Sequence, residues 1–190
     1  MYGPVGDRAK FLFGKDSATM ARSRVNGGSV QAVKTLYEER ILQGIVTSAP
    51  SQESTTGWTD TAIKEPLVRG LRIPADAVLF DPRVVRYGGA AKVDHLRESV
   101  LAAAQILGES PRRVLYIADT NDDITEAAEA NRRLREEGVR SEIALAMVLN
   151  GMGLPSMWKK AREQAGLEHG RNYEEFPTSM DAVRNFVDSV

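Results

Sequence analysis

The feature that most constrains this chain is an unbroken apolar run, residues 114–118, that stops abruptly at a cluster of carboxylates. Asp119, Asp122 and Asp123 follow the run within five residues. A continuous apolar run of this length predicts a strand that is buried on both faces. Helix-forming residues then continue as far as Gly138, and a glycine suits the end of a helix. The sequence therefore predicts a parallel strand, an acidic turn and a helix.

The acidic turn has two interpretations. In an open parallel sheet, ligands bind beyond the carboxyl ends of the strands, and clusters of carboxylate oxygens suit a hard cation such as Mg²⁺. Alternatively, these carboxylates cap the following helix and complement its dipole, and we expect Asp122 to be such a cap. Local sequence leaves both interpretations open.

Strand-like and helix-like segments alternate along the rest of the chain. Apolar or β-branched residues predict strands at residues 10–13, 42–47, 77–80, 114–118 and 143–149. A last short strand is predicted at residues 173–176. Helical periodicity predicts helices at residues 30–41, 59–68, 93–107, 155–165 and 183–190, with Ser29 and either Thr178 or Ser179 as N-caps. Residues 81–91 are predicted to form a loop. The alternation predicts an α/β fold, a Rossmann-like three-layer sandwich with a central parallel sheet.

Composition narrows the classes of protein and partner. The 190 residues and 42% hydrophobic content predict one domain over residues 1–190, with residues 1–9 as a lead-in. A net charge of −1 argues against nucleic acid or an anionic membrane surface as a partner. The chain has no cysteine, and we see neither an apolar run near the ~20 residues of a membrane span nor a signal-peptide pattern. We therefore expect a cytoplasmic protein, and a homo-oligomer stays open.

Polar side chains follow the predicted strands. Asp16 comes after the first strand, Thr47 and Ser48 end the second, Lys92 precedes the long helix, and Asp119 ends the acidic strand. Because parallel strands end at the same edge of a sheet, we expect these groups to converge. Carboxylates that bind Mg²⁺, a lysine and a hydroxyl are what phosphoryl chemistry needs.

Three stretches in this order resemble the haloacid dehalogenase (HAD) superfamily of phosphohydrolases. GIVTS at residues 44–48 resembles its second motif, Lys92 in GGAAKVDHL stands at its third, and YIADTNDDI resembles its fourth, with Asp119 and Asp123 at the acidic positions. The separations, 45 residues from Thr47 to Lys92 and 27 from Lys92 to Asp119, suit such a core. The resemblance implies a HAD-like core with little or no cap domain.

The resemblance also implies roles for individual residues. Thr47, Ser48 and Lys92 would bind the phosphate, with Thr47 and Lys92 also counted among the catalytic residues. Asp119, Asp123 and Asp16 would hold Mg²⁺, and Asp16 would act as the general acid and base. The implied reaction is Mg²⁺-dependent hydrolysis of a phosphate monoester, on a phosphorylated small molecule or protein.

The first motif departs from the family pattern. When FLFGKDSAT is aligned with it, Gly14 occupies the position of the nucleophilic aspartate. Glycine cannot attack phosphorus, so we expect impaired turnover. Three explanations stay open: a degenerate pseudo-phosphatase, an engineered or truncated active enzyme, and a wrong alignment of the first strand. The alternative function is a non-catalytic module that binds a phosphorylated ligand or protein partner.

Overall fold

The structure is a computed structural model, and it describes residues 28–46, 82–86, 91–149 and 155–189. Helices and strands alternate through these ranges, as the sequence predicts. In chain order they are α1 (Ser29–Glu38), β1 (Ile45–Val46), a 3₁₀ turn (Pro82–Val84), β2 (Val85–Arg86), α2 (Lys92–Leu107), β3 (Arg113–Ala118), α3 (Asn121–Glu136), β4 (Glu142–Val148), α4 (Pro155–Ala165), β5 (Tyr173–Phe176) and α5 (Ser179–Asp188).

All strand pairs in the described residues are parallel. β4 lies between β3 and β5, with Val114 opposite Ile143 and Leu145 opposite Tyr173. A second parallel pair joins β1 to β2, with Ile45 opposite Val85. A parallel sheet in a chain of alternating strands and helices confirms the predicted α/β class and is compatible with a Rossmann-like sandwich.

The two faces of β4 contact different helices. Ile143, Leu145 and Met147 join a core cluster with buried side chains of α2, α3 and α4. Ala144 and Ala146 lie on the other face, beside residues of α5, because successive side chains of a strand point to opposite faces. The three-stranded sheet therefore has helices on both faces, which gives the described part of the chain three layers.

Local sequence explains the helices nearest to the sheet. α3 is rich in alanine, arginine and glutamate, which are good helix formers. It buries one stripe of apolar residues, Ile124, Ala127, Ala130 and Leu134. Gly108 terminates α2 at a φ of 77°, in the left-handed region that favours glycine. Ion pairs of 2.7 Å between Arg133 and Asp94 and of 2.5 Å between Arg97 and Glu137 join α2 to α3.

Two predicted boundaries are wrong in the region of β1 and β2. Residues 42–44 of the predicted strand at residues 42–47 lie before β1, which comprises Ile45–Val46, and Thr47 lies outside the described residues. Part of the predicted loop at residues 81–91 forms the 3₁₀ turn and β2. The loop contains two adjacent valines, whose β-branched side chains favour a strand. Gly44 permits the close approach, because a Cβ there would lie 2.5 Å from the Val84 carbonyl oxygen.

Two details of the other elements also differ from prediction. Gly28 is the N-cap of α1, and Ser29 is the first helical residue. β3 is only partly buried except at Ala118, whereas β4 is buried over six of its seven residues. The difference follows from sheet position, since β4 has a described strand on each side and β3 pairs with β4 alone among the described strands.

Three predicted elements lie outside the described residues. They are the strands at residues 10–13 and 77–80 and the helix at residues 59–68. The proposed lead-in at residues 1–9 also lies outside them. Among the described helices, none combines the length and the apolar character needed to cross a bilayer.

Candidate functional site

The predicted site residues that the structure describes lie at the carboxyl edge of the three-stranded sheet. Asp119 follows the last residue of β3, and Thr120 is the N-cap of α3. Lys92 is the first residue of α2. The start of α2 meets the start of α3 through Lys92 and Asp123, although these residues are 31 positions apart in sequence.

An ion pair joins two of the predicted site residues. The Lys92 ammonium lies 2.5 Å from Oδ1 of Asp123. The Asp123 side chain is 2% exposed and the Lys92 side chain is 19% exposed, so the pair is almost removed from solvent. A second carboxylate, Glu126, places Oε2 3.9 Å from the same ammonium. Lys92 therefore lies between two carboxylates on the first turns of α3.

Asp123 accepts hydrogen bonds at both of its oxygens. The Tyr116 hydroxyl donates to Oδ1 at 2.6 Å, the same oxygen that contacts Lys92. The Thr120 backbone N–H and hydroxyl donate to Oδ2 at 3.0 and 2.6 Å. A carboxylate has about four lone-pair sites, and four donors surround this one. Asp123 is therefore fully engaged by neighbouring groups.

The surroundings shift two pKa values in opposite senses. Burial pushes the pKa of Asp123 upward, but the Lys92 charge and the hydrogen bonds outweigh burial and leave this pKa below its usual value. Burial, followed by the charge of Asp123, holds the pKa of Tyr116 well above its usual value. Asp123 is therefore an anion, and Tyr116 a protonated donor, at neutral pH.

Glu126 is a third ionisable group that the sequence prediction missed. Its Oε2 is shielded from solvent, and no described residue donates a hydrogen bond to it. Burial raises the pKa of Glu126. The charge of Lys92 lowers this pKa, and repulsion from Asp123 and Asp122 raises it further. A glutamate within a polar helix segment gives no sequence signal for such a position, because that pattern predicts a solvent-exposed face.

Tyr116 and Thr120 were also missed, for different reasons. Tyr116 belongs to the apolar run that predicts β3, where an aromatic residue is taken as core. Thr120 carried a usable signal, since a threonine three residues before an acidic residue at a helix start is typical of a capping box. Asp122 was predicted as the cap, and that is wrong: it is exposed, and Thr120 and Asp123 close the start of α3.

The described residues fit a Mg²⁺ site only in part. Asp119 is a partly buried carboxylate at a strand end, which suits a hard cation. Asp123 already has four donors on its two oxygens, so a cation could bind it only if a donor such as Lys92 moved away. Among the described residues, His, Asp and Glu form no group of three or more arranged to hold a metal.

Four residues of the predicted site lie outside the described part of the chain. They are Gly14 and Asp16 of the degenerate first motif, and Thr47 and Ser48 after β1. Their predicted roles stay predictions.

Comparison with known proteins identified no relative of this chain. No family model, curated protein or solved structure matches the chain. Any functional conclusion therefore rests on the residues of the site itself.

Proposed function

We propose that the edge formed by Lys92, Asp119 and Asp123 is the phosphate site of a HAD-like phosphohydrolase scaffold whose turnover is impaired. The observation that carries the proposal is the 2.5 Å contact between Lys92 and Asp123 at the end of β3. It brings together the residues that resemble the third and fourth motifs of that family, from positions 31 apart in the chain.

The start of α2 adds support for an anionic ligand. Ala91, the N-cap, has no side-chain acceptor, so it leaves the first N–H groups of the helix without a side-chain cap. Uncapped N–H groups and the positive end of the helix dipole attract anions, and Lys92 adds a full positive charge at the same place. α3 and α5 differ, because a threonine and an aspartate close each of them.

Within the proposed site each residue has a defined task, and Asp16 has two. Lys92, with Thr47 and Ser48, binds the phosphate oxygens, and Asp16 carries the proton for the leaving oxygen. Asp119 and Asp16 would hold Mg²⁺, and Asp123 would be a third ligand only with Lys92 displaced from its oxygen. Bound Mg²⁺ supplies charge neutralisation at the phosphate. Gly14, at the nucleophile position, leaves the covalent step without its carboxylate.

The first test is Mg²⁺-dependent release of 4-nitrophenol from its phosphate ester, comparing the natural chain with Gly14→Asp. We expect little turnover from the natural chain and a clear rate from Gly14→Asp, which Lys92→Met and Asp119→Asn each abolish. Lys34→Met is the matched control, since Lys34 pairs with Glu38 at 2.7 Å on the surface of α1. Fast hydrolysis by the natural chain that survives Lys92→Met would refute the proposed site.

The second candidate function is a pseudo-phosphatase that binds a phosphorylated small molecule or protein without chemistry. Two observations favour it: Gly14 in the sequence, and an Asp123 whose oxygens are all engaged. The test is a thermal melt with inorganic phosphate and Mg²⁺. A ligand at 100 times its Kd stabilises the folded state by about 2.7 kcal/mol, and Lys92→Met should remove that stabilisation. Thermal stabilisation by phosphate, together with no release of 4-nitrophenol by Gly14→Asp, would support this function.

A further inference from the structure

Two donors of different character share one oxygen of Asp123. The Lys92 ammonium lies 2.5 Å from Oδ1 and the Tyr116 hydroxyl donates to Oδ1 at 2.6 Å. Tyr116 comes from β3 and Lys92 from α2, so the two donors reach the oxygen from separate elements. The oxygen therefore divides its acceptor capacity between a cation and a neutral hydroxyl.

Tyr116 is not needed to hold the carboxylate in place. Thr120 fixes the other oxygen, Oδ2, through its backbone N–H at 3.0 Å and its hydroxyl at 2.6 Å. Asp123 also belongs to the first turn of α3, which restrains its backbone. The Tyr116 hydrogen bond therefore acts mainly on the charge of Oδ1, because its dipole offsets part of the negative charge that attracts Lys92.

We propose that Tyr116 is a positioning residue that weakens the hold of Asp123 on Lys92 and so keeps the ammonium available to an anionic ligand. This inference rests on the proposed phosphate site and adds to it a residue to which the resemblance assigns no role. The Tyr116 hydroxyl is the donor of this bond, because an ionised carboxylate can only accept hydrogen bonds.

The inference predicts the sign of a substitution. Tyr116→Phe removes the competing donor and leaves the ring, so Lys92 binds Asp123 more tightly and a phosphate must compete against a stronger pair. The Kd for inorganic phosphate should rise roughly two- to tenfold, the equivalent of one net hydrogen bond. If Tyr116 only held the site together, Tyr116→Phe would loosen the site, and Lys92 would bind Asp123 less tightly.

Tyr173→Phe is the matched control. The Tyr173 hydroxyl donates to Glu175 at 2.8 Å, so this tyrosine also bonds a carboxylate from a strand of the same sheet. Glu175 is exposed and forms no ion pair with a described residue. The control loses the same atom and the same kind of bond, and it should leave both Lys92 and the phosphate Kd unchanged.

The experiment measures the ¹⁵N order parameter of the Lys92 ammonium by NMR, with calorimetric titration of inorganic phosphate alongside it. We expect the order parameter to rise in Tyr116→Phe and to stay constant in Tyr173→Phe, with the Lys34 ammonium unchanged in both. Tyr116→Leu, which also removes the hydroxyl, should give the same rise if Tyr116→Phe folds poorly.

The two measurements separate this inference from the proposed function. If the natural chain does not bind phosphate but the Lys92 order parameter rises in Tyr116→Phe, the phosphate site is wrong and the role of Tyr116 stands. If phosphate binds and the order parameter falls or stays constant, the role of Tyr116 is overturned and the phosphate site stands. An equal rise in Tyr173→Phe also overturns the role of Tyr116.

Discussion

The starts of α3 and α5 are built in a similar way, and among the described residues only the start of α3 carries an ion pair. Each helix follows a parallel strand and begins with threonine, two further residues and aspartate. In α3, Thr120 donates to Asp123 from its N–H at 3.0 Å and its hydroxyl at 2.6 Å. In α5, Thr178 donates to Asp181 at 3.1 and 2.7 Å. The local geometry agrees to within 0.1 Å in both bonds.

The second oxygen of the aspartate distinguishes the two helix starts. Oδ1 of Asp123 contacts Lys92 and Tyr116, and the side chain is 2% exposed. Asp181 is partly buried, and Thr178 is the only described residue whose hydrogen bond to the Asp181 side chain is seen. A capping motif is thus a local property of four residues, whereas the ion pair depends on a lysine 31 residues away.

The largest expected effect comes from removing each aspartate. Asp123→Ala leaves the Lys92 ammonium and the Tyr116 hydroxyl without their acceptor, and we expect a loss of about 3 kcal/mol of unfolding free energy. Asp181→Ala removes only one half of a capping box and should cost about 1 kcal/mol. Urea unfolding of both variants measures the difference, and equal losses would show that the ion pair adds nothing to the cap.

The next largest effect is the loss of stability when the cation of the pair, Lys92, is replaced. Lys92→Met should lower stability by about 2 kcal/mol at pH 7, because it leaves a buried carboxylate without its counter-charge. The Lys92 side chain is 19% exposed, which keeps the loss below that of Asp123→Ala. Lys34→Met, which removes the partner of the exposed Glu38, should cost no more than about 0.5 kcal/mol.

The pH dependence of that loss has a definite sign. Since the pKa of Asp123 is lowered below its ordinary 3.8 in the folded state, the pair stabilises the protein fully above that value. The contribution disappears as the pH falls through the lower folded-state pKa. The gap between the natural chain and Lys92→Met should therefore be constant near neutrality and shrink in acid. A gap that does not shrink at all as the pH falls below 3.8 contradicts the assigned pair.

Replacement of the two threonines sharpens the comparison by testing what the helix starts share. Thr120→Ala and Thr178→Ala each remove a side-chain donor and the cap at a helix start, and each should cost about 1 kcal/mol. The expected result is equality, measured by the shift in urea midpoint at constant slope. A loss at Thr120 that clearly exceeds the loss at Thr178 shows that the cap and the Lys92 pair are coupled.

The smallest expected effect lies at Glu126. Because burial raises its pKa above the ordinary 4.5, the charged form is disfavoured by folding. Glu126→Gln should therefore raise stability at pH 7 by less than about 1 kcal/mol, and the gain should vanish below pH 4.5. Thermal melts at the two pH values measure it.

Glu129 provides the control of opposite sign for Glu126→Gln. Hydrogen bonds from Arg132 and Arg133 lower its pKa to about 2. Glu129→Gln should therefore lower stability at pH 7. Matching signs for the two glutamine variants would contradict the assigned surroundings of Glu126.

The sequence predicted elements well where the signal was local. α4 at Pro155–Ala165 and β5 at Tyr173–Phe176 match the predicted bounds, because proline at the first helical position and two aromatic residues within four positions are local signals. β2 was missed because its two residues, which pair with Ile45 and Val46, are too few to show the alternation of side chains that predicts a strand. Strand alternation placed Asp119 at a strand end, and that placement is confirmed.

The candidate site was predictable only in outline. The expectation that Lys92 and the carboxylates converge is confirmed for Lys92 and Asp123. The sequence could not assign Tyr116 or Glu126 to the same cluster, because a tyrosine in an apolar run and a glutamate in a polar helix each fit an ordinary structural role. Which oxygen a donor reaches depends on the packing of α2 against α3 and β3, and no short pattern encodes it.

Asn131 has a consequence for aggregation and refolding. β5 covers β4 only from Leu145 onward, and the buried Asn131 side chain bonds both the N–H and the carbonyl of Ile143, at 2.7 and 2.9 Å. The amide thus bonds the two Ile143 groups at a point where no described strand pairs with them on that side, and it blocks groups that another chain could use to extend the sheet. A chain with Asn131→Ala should deposit more material during refolding at high concentration, even where its enzymatic or binding properties are intact.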